Sequence, residues 1–313
     1  VTHPFIPALI GPTGTGKTAT LFALREILPF SVIQADSLQA IEGFDIGTAK
    51  PSPSARAWLP HYGVDVVPPT GRFSAYQFVT LAEEVLQKGD GSFLFTGGTG
   101  LYLEAWVKGL TELSEIPEEV RLRARREVEE DPEGVYRRLK ELDPLFAQKV
   151  HPHDHRRIAR ALEIYQVVQA PPIQYLIEGR KKRGTRKLIF FGILGEGEEY
   201  RQALKFRIER MLEEGWIEEV KGLISRYHSR LPGLEGVGYR EILSYLKGEI
   251  KDLPALKEAI LRRTWRYARK QRIFFQRFPV RWYPFSPRGI NQELLRDLYR
   301  ALSDPESYLE RDR

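Results

Sequence analysis

Gly11-Pro12-Thr13-Gly14-Thr15-Gly16-Lys17-Thr18 stands between a short apolar run ending at Ile10 and a stretch with Leu21, Leu24 and Leu28 at 3–4 spacing. That arrangement predicts a strand within 5–10, starting at or just after Pro7, because proline cannot donate to a ladder. It also predicts a helix over 17–28, stopped by Pro29. The octapeptide fits G-x-x-x-x-G-K-[ST]. Its glycines let the backbone wrap around a phosphate with several N–H groups pointing inward, and the following helix presents its positive end to the same anion. Lys17 supplies a mobile charge and Thr18 a hydroxyl suited to Mg²⁺. The loop therefore binds a polyphosphate. ATP and GTP are the usual occupants, but the motif alone does not choose between ligands.

Outward from this loop, residues 31–35 read as a second strand closed by Asp36, and 64–67 as a third. Residues 74–86 read as a helix with Phe78, Leu81, Ala82 and Val85 on one face, and 93–96 as a buried strand broken by Gly97-Gly98. Such alternation predicts an open parallel α/β sheet. Ligands bind such sheets at the carboxyl ends of the strands, so the loops at 11–18, at Asp36 and at 96–100 should converge. Asp36 is then a general base, a Mg²⁺ ligand or a turn-capping residue, and Thr99 offers a hydroxyl. Lys50, in the loop 43–51, is either a second phosphate contact or a solvated charge.

From 117 to 170 no strand is legible. Residues 120–130, 134–142 and 156–168 read as charged helices. An apolar β-type run returns at 188–194, helices resume at 200–227 and 256–278, and 281–283 reads as a last strand. The expected architecture is an α/β core like that of P-loop NTPases, with an inserted α-helical domain. The core is 1–110 with 188–313, and the insertion is 111–187. His151, His153 and His155 alternate, but Pro152 and the helix start argue against a metal site on a strand. Asp154 reads as an N-cap.

The 313 residues are 42 % hydrophobic, which excludes a disordered chain, and contain no cysteine, which excludes disulfides, thiol catalysis and cysteine-held metals. No apolar run reaches membrane-spanning length. Residues 1–10 lack the basic start and apolar run of a signal peptide, so the expected compartment is the cytoplasm. They also lack a start Met, as a trimmed chain would. The net charge is +6. Basic residues cluster at 121–126, at 180–187 and at 262–281, the last interleaved with aromatics. Arginine suits RNA, since it forks onto phosphates and stacks on unpaired bases. Each cluster alone also reads as the wet face of a helix.

Five segments together resemble tRNA dimethylallyltransferases, also called tRNA isopentenyltransferases. They are 11–18, Asp36-Ser37-Leu38-Gln39 with Gly43-Phe-Asp-Ile-Gly-Thr-Ala-Lys-Pro51, 97–102, 151–163 and Gly236-Val-Gly-Tyr-Arg240. The basic helix at 262–278 looks like the family's C-terminal signature. The resemblance implies transfer of a dimethylallyl group from dimethylallyl diphosphate to the exocyclic amine of the tRNA adenosine directly 3′ of the anticodon. It implies that Gly11, Pro12, Thr13, Gly14, Thr15, Gly16, Lys17 and Thr18 hold the donor's diphosphate, with Mg²⁺ on Thr18. Asp36 is the implied base, with Thr99, Lys17 and Arg121 completing the catalytic set. Asp36, Ser37, Leu38, Gln39, Thr99, Arg121, Arg156, Arg157, Arg160, Gly236, Gly238, Tyr239 and Arg240 are the implied tRNA contacts. The helical insertion is implied to grip the anticodon stem, and the enzyme to be a monomer. Arg156 stands where the family often has Gln, and Glu235 puts an acid beside the Gly-Tyr-Arg segment.

Three other readings compete. An adenylate isopentenyltransferase would need neither the insertion nor the basic helix. A P-loop kinase would not need Asp36 or the Gly-Phe-Asp-Ile-Gly element. A non-catalytic RNA-binding protein would be indifferent to loss of Asp36.

Overall fold

β1 (Phe5–Ile10) leads through the phosphate loop into α1 (Lys17–Arg25), and β2 (Ser31–Gln34), α2 (Pro53–Trp58), β3 (His61–Tyr62), α3 (Ala75–Lys88), β4 (Phe93–Gly97) and α4 (Gly100–Lys108) follow. The computed structural model describes residues 4–111, 113, 116–181, 186–227, 231–287 and 289–311, so 182–185 of the basic run lie outside the described residues. The chain divides into two units, 1–107 with 184–313, and 108–183.

The first unit is completed by β7 (Lys187–Leu194), α10 (Gly197–Glu213), α11 (Trp216–Tyr227), a 3₁₀ turn (Pro232–Glu235), α12 (Tyr239–Leu246), α13 (Leu253–Phe275), β8 (Val280–Pro284), α14 (Gln292–Ser303) and α15 (Pro305–Arg311). Its six strands run in the order β3-β2-β4-β1-β7-β8, and every pairing is parallel. The central strands are buried almost throughout, as helices on both faces require. On one side Leu9, Val32, Leu94 and Phe191 pack with Leu21 and Leu24 of α1 and Leu294 and Leu298 of α14. A second cluster joins Tyr200, Leu204, Trp216, Tyr239, Leu256 and Ile260 from α10 to α13.

The second unit holds a two-residue antiparallel ladder of β5 (Leu110–Thr111) and β6 (Arg180–Lys181). Between them lie α5 (Glu118–Glu130), α6 (Pro132–Leu142), α7 (Phe146–Lys149), α8 (His155–Val168) and α9 (Pro172–Glu178). Ala124, Val128, Leu139, Phe146, Ile158 and Leu162 form its core. The wholly buried Asp143 accepts from the N–H groups of Leu145 and Ile173, which ties the start of α9 to the end of α6. Asp154 caps α8 by accepting from the Arg157 N–H.

The structure corrects several expectations. β1 runs through Pro7, because its register with β4 starts only at Ala8, so the proline faces no partner on that side. Residues 64–67 are not a strand. Gly63 (φ +87°) and Asp65 (φ +52°) turn the chain there, and Val67 keeps a single bridge to Ile41. The third strand is His61–Tyr62. The helix expected over 200–227 is two helices, separated by Gly215 at φ +101°. α14 and α15 were not foreseen, although α14 supplies core side chains. No helix among the described residues is long and apolar enough to cross a membrane.

Candidate active site

Strand order decides the site. β2, β4 and β1 are neighbours, so the loops after them leave the same sheet edge side by side. Hydrogen bonds stitch them together: Thr99 N–H donates to Ala35 O at 3.0 Å, and Ser37 N–H donates to the Thr99 hydroxyl at 3.0 Å. Gly97 (φ +148°) is required here, since a Cβ would overlap the Ala35 carbonyl.

The phosphate loop turns through left-handed glycines at Gly14 (φ +76°) and Gly16 (φ +90°). The N–H groups of Gly14, Thr15 and Gly16 have no backbone partner among the described residues, which suits an anion. The Thr15 hydroxyl is spent on Pro12 O. Thr18 is exposed on the first turn of α1. Lys17 Nζ donates to the carbonyls of Gly11 and Pro12, each at 2.8 Å. Burial lowers its pKa to about 7, helped by nearby Arg207 and opposed by Asp36.

Asp36 Oδ1 accepts from the N–H groups of Leu38 (3.0 Å) and Gln39 (3.3 Å). Oδ2 takes no hydrogen bond among the described residues and faces Gly98. Burial raises the Asp36 pKa, against the opposing pull of those amides, Lys17 and Arg207. Of the three roles the sequence left open for Asp36, the geometry satisfies turn-capping with one oxygen and leaves the other able to take a proton. Among the described residues no group of three or more His, Asp or Glu side chains could hold a metal.

Arg207 was missed. It sits on α10 beside Lys17, Asp36 and the Tyr200 ring, and burial lowers its pKa. A signal existed: Tyr200, Leu204, Ile208 and Met211 form the buried stripe of α10, and Arg207 stands at the edge of that spacing. Tyr267 of α13 is 38 % exposed as a residue, but its phenol is turned inward, and desolvation there, with the Asp36 charge nearby, raises its pKa.

Lys50 is neither a phosphate contact nor a solvated charge. Its side chain is 2 % exposed, and its Nζ is held by Ile41 O (2.7 Å), Asp45 (2.6 Å) and Asp65 (2.5 Å). It closes the loop 41–50, in which Gln39 Nε2 also donates to Thr48 O. The Gln39 Oε1 is buried without a partner. Removing the cation would leave two carboxylates facing each other, so Lys50→Met is expected to cost about 2–3 kcal/mol, given that Asp45 stays solvated. A urea midpoint equal to that of the unchanged chain would contradict this.

Leu38 packs on Gly236, where a Cβ would approach to 2.7 Å, so the segments 36–39 and 236–240 meet. Tyr239 is wholly buried, with its hydroxyl on Glu219 at 2.6 Å. Its side chain cannot touch RNA, which corrects that expectation. Glu219 also accepts from the N–H groups of Asp45 and Ile46. The Trp216 ring fills the space that a Cβ on Gly47 or Gly238 would need. α11 thus explains two motif glycines as packing surfaces. Arg240 is exposed, and Glu235 lies 3.9 Å from Arg72.

The other expected residues lie in the helical unit. Arg121, on α5, is 3.4 Å from Glu118. On α8, Arg156 is exposed, Arg157 pairs with Asp154 at 3.3 Å, and Arg160 with Glu163 at 2.7 Å. The basic helix α13 spends part of its charge internally, through Arg263 on Glu241 and Arg272 on Glu196, while Arg266, Arg269 and Lys270 stay exposed.

Fold and site together define a P-loop protein of the parallel α/β class, with a half-buried carboxylate at the strand end two positions from the phosphate loop. Residues 39–278 match the IPP transferase family, and the chain belongs to that family, the one its motif segments resemble. It is 36 % identical to a tRNA dimethylallyltransferase of Natranaerobius thermophilus, over 90 % of this chain and 86 % of that one. A full-length tRNA isopentenylpyrophosphate transferase from Bacillus halodurans has the same fold, with TM-score 0.68 at 28 % identity and 99 % of both chains covered. A eukaryotic dimethylallyltransferase acting on tRNA shares the fold at TM-score 0.71 and 23 % identity, over 90 % of this chain and 74 % of that one.

Proposed function

We propose that the chain is a tRNA dimethylallyltransferase. It moves a dimethylallyl group from dimethylallyl diphosphate to the exocyclic amine of the adenosine directly 3′ of the anticodon and releases diphosphate. One observation carries the reading: the unoccupied Oδ2 of Asp36 lies on the same strand edge as a phosphate loop, in a chain of this family. An adenine amine is a poor nucleophile, so it gains from losing a proton as the new bond forms. The amine nitrogen bonds to the allylic carbon, the carbon–oxygen bond to the diphosphate breaks, and Oδ2 takes the proton.

The departing diphosphate gains charge. The free amides of the loop, Lys17 and Arg207 are the groups placed to receive it. To bind it, Lys17 exchanges the Gly11 and Pro12 carbonyls for phosphate oxygens. The residues present suit Mg²⁺ held by the exposed Thr18 hydroxyl and the donor's own oxygens, without a protein carboxylate cage. When bound, the ion would supply further positive charge to the leaving group.

The target base is stacked in the anticodon loop and must be extruded to reach Asp36. Ser37, Leu38, Gln39 and Thr99 line that edge with Asp36. Gly236 and Arg240 extend the tRNA surface, whereas Gly238 is buried against Trp216. Arg121, Arg156, Arg157 and Arg160 in the unit 108–183 are assigned to the anticodon stem. The reaction belongs in the cytoplasm, with the tRNA pool.

An anticodon stem-loop carrying adenosine at this position should accept label from the donor. The same stem-loop with guanosine there should accept none, since guanosine presents a carbonyl in place of the amine. Equal labelling of both would overturn the assignment of the acceptor.

A further inference from the structure

We infer that Gln271 is a positioning residue that fixes the donor loop against the loop carrying the base-side groups. The inference rests on the prenyl-transfer reading and extends it to a residue of the C-terminal helix. Gln271 projects from α13 and is 6 % exposed. Its single carboxamide spans the two loops: Oε1 accepts from the Thr13 N–H at 3.0 Å, and Nε2 donates to the Gly98 carbonyl at 2.8 Å.

The surroundings over-determine this arrangement. The Thr13 peptide is gripped on its other side too, since its carbonyl accepts from the Tyr200 hydroxyl at 2.5 Å. A Cβ on Gly98 would come within 2.5 Å of Gln271 Nε2 and 3.5 Å of Asp36 Oδ2. A Cβ on Gly100 would overlap the ring of Phe274, one turn along the same helix. Two glycines of the loop 97–100 therefore admit α13, and through it the loop bearing Thr99 is set beside Asp36.

Only a carboxamide satisfies both partners. One needs an acceptor and the other a donor, which also fixes the orientation of the amide. A carboxylate would press an anionic oxygen on the Gly98 carbonyl. A hydrocarbon of similar size would strand a buried N–H and a buried C=O. Both polar atoms of Gln271 are committed to backbone, so its contribution is the spacing between the two loops, and with it the attack distance between amine nitrogen and allylic carbon. A misplacement of about 1 Å at a reacting centre can cost roughly 100-fold in rate.

The test uses the full chain and two variants, Gln271→Met and Gln271→Glu. The initial rate is measured against varied dimethylallyl diphosphate at saturating tRNA, and against varied tRNA at saturating donor, with a thermal melt of each protein. Gln271→Met should lose about 10- to 100-fold in kcat, while both KM values stay within about threefold and the melt stays cooperative. Gln271→Glu should be no better than Gln271→Met, and it carries the test if the methionine variant fails to fold. Wild-type kcat in either variant would overturn the inference, because packing volume alone would then suffice. So would a loss confined to donor KM, which would make Gln271 a builder of the phosphate site only. An unchanged chain that transfers nothing to tRNA would overturn the prenyl-transfer reading and this inference together, whereas an active one with an unaffected methionine variant overturns this inference alone.

Discussion

Asp36→Ala should lower turnover by about 100- to 10,000-fold, the range for loss of a positioned general base. The carboxylate is divided in its duties. Oδ1 holds the amides of Leu38 and Gln39, while Oδ2 is unengaged among the described residues. Asp36→Asn separates the two duties, because its amide oxygen can still hold the turn but cannot take a proton. Asn should therefore fold and bind like the unchanged chain and turn over like Ala. The pH dependence has a definite sign. Burial raises the Asp36 pKa, so as pH falls the basic form is lost sooner than for an ordinary aspartate. Turnover should drop on the acid side, and that limb should vanish in Asp36→Asn. Wild-type turnover in Asp36→Asn would remove the base role.

Lys17→Ala should weaken donor binding by roughly 10- to 100-fold, as expected for a charge-assisted hydrogen bond worth about 1.5–3 kcal/mol, with tRNA affinity unaltered. Its pKa of about 7 in the free site adds a second signature. Above that pH the ammonium loses its proton, and binding the anionic donor must first restore it. Donor affinity should therefore fall as pH rises from 7 to about 9, and the slope should flatten in Lys17→Ala. Titrations of dimethylallyl diphosphate across this range read both effects. A slope of equal size in the alanine variant would assign the titration to another group.

The legible part of this molecule was local. The octapeptide at 11–18, the strand ends at Asp36 and Gly97, and the helices at 120–168 all announce themselves through glycine placement or apolar spacing within a dozen residues. What stayed hidden depends on partners far along the chain. Pro7 is tolerated within β1 because β4 starts opposite Ala8. Lys50 is buried because Asp45 and Asp65 close on it. The Gly-Tyr-Arg segment looked like an RNA surface, yet Tyr239 is consumed by Glu219, Phe44 and Trp216. Arg207 and Gln271 were invisible for the same reason. One is a single cation among 48 basic residues and the other a polar residue on a basic helix, and only the packing of α10 and α13 brings them to the phosphate loop. Motif reading finds the atoms that a loop presents, and it misses those that other helices deliver.

Prenyl transfer to tRNA is read out by incubation of the chain with labelled dimethylallyl diphosphate, Mg²⁺ and unmodified tRNA, beside a parallel tube in which AMP replaces the tRNA. Label in tRNA, at the adenosine 3′ of the anticodon, and none in AMP is the expected result. Label in AMP in place of tRNA, or in neither, would contradict it.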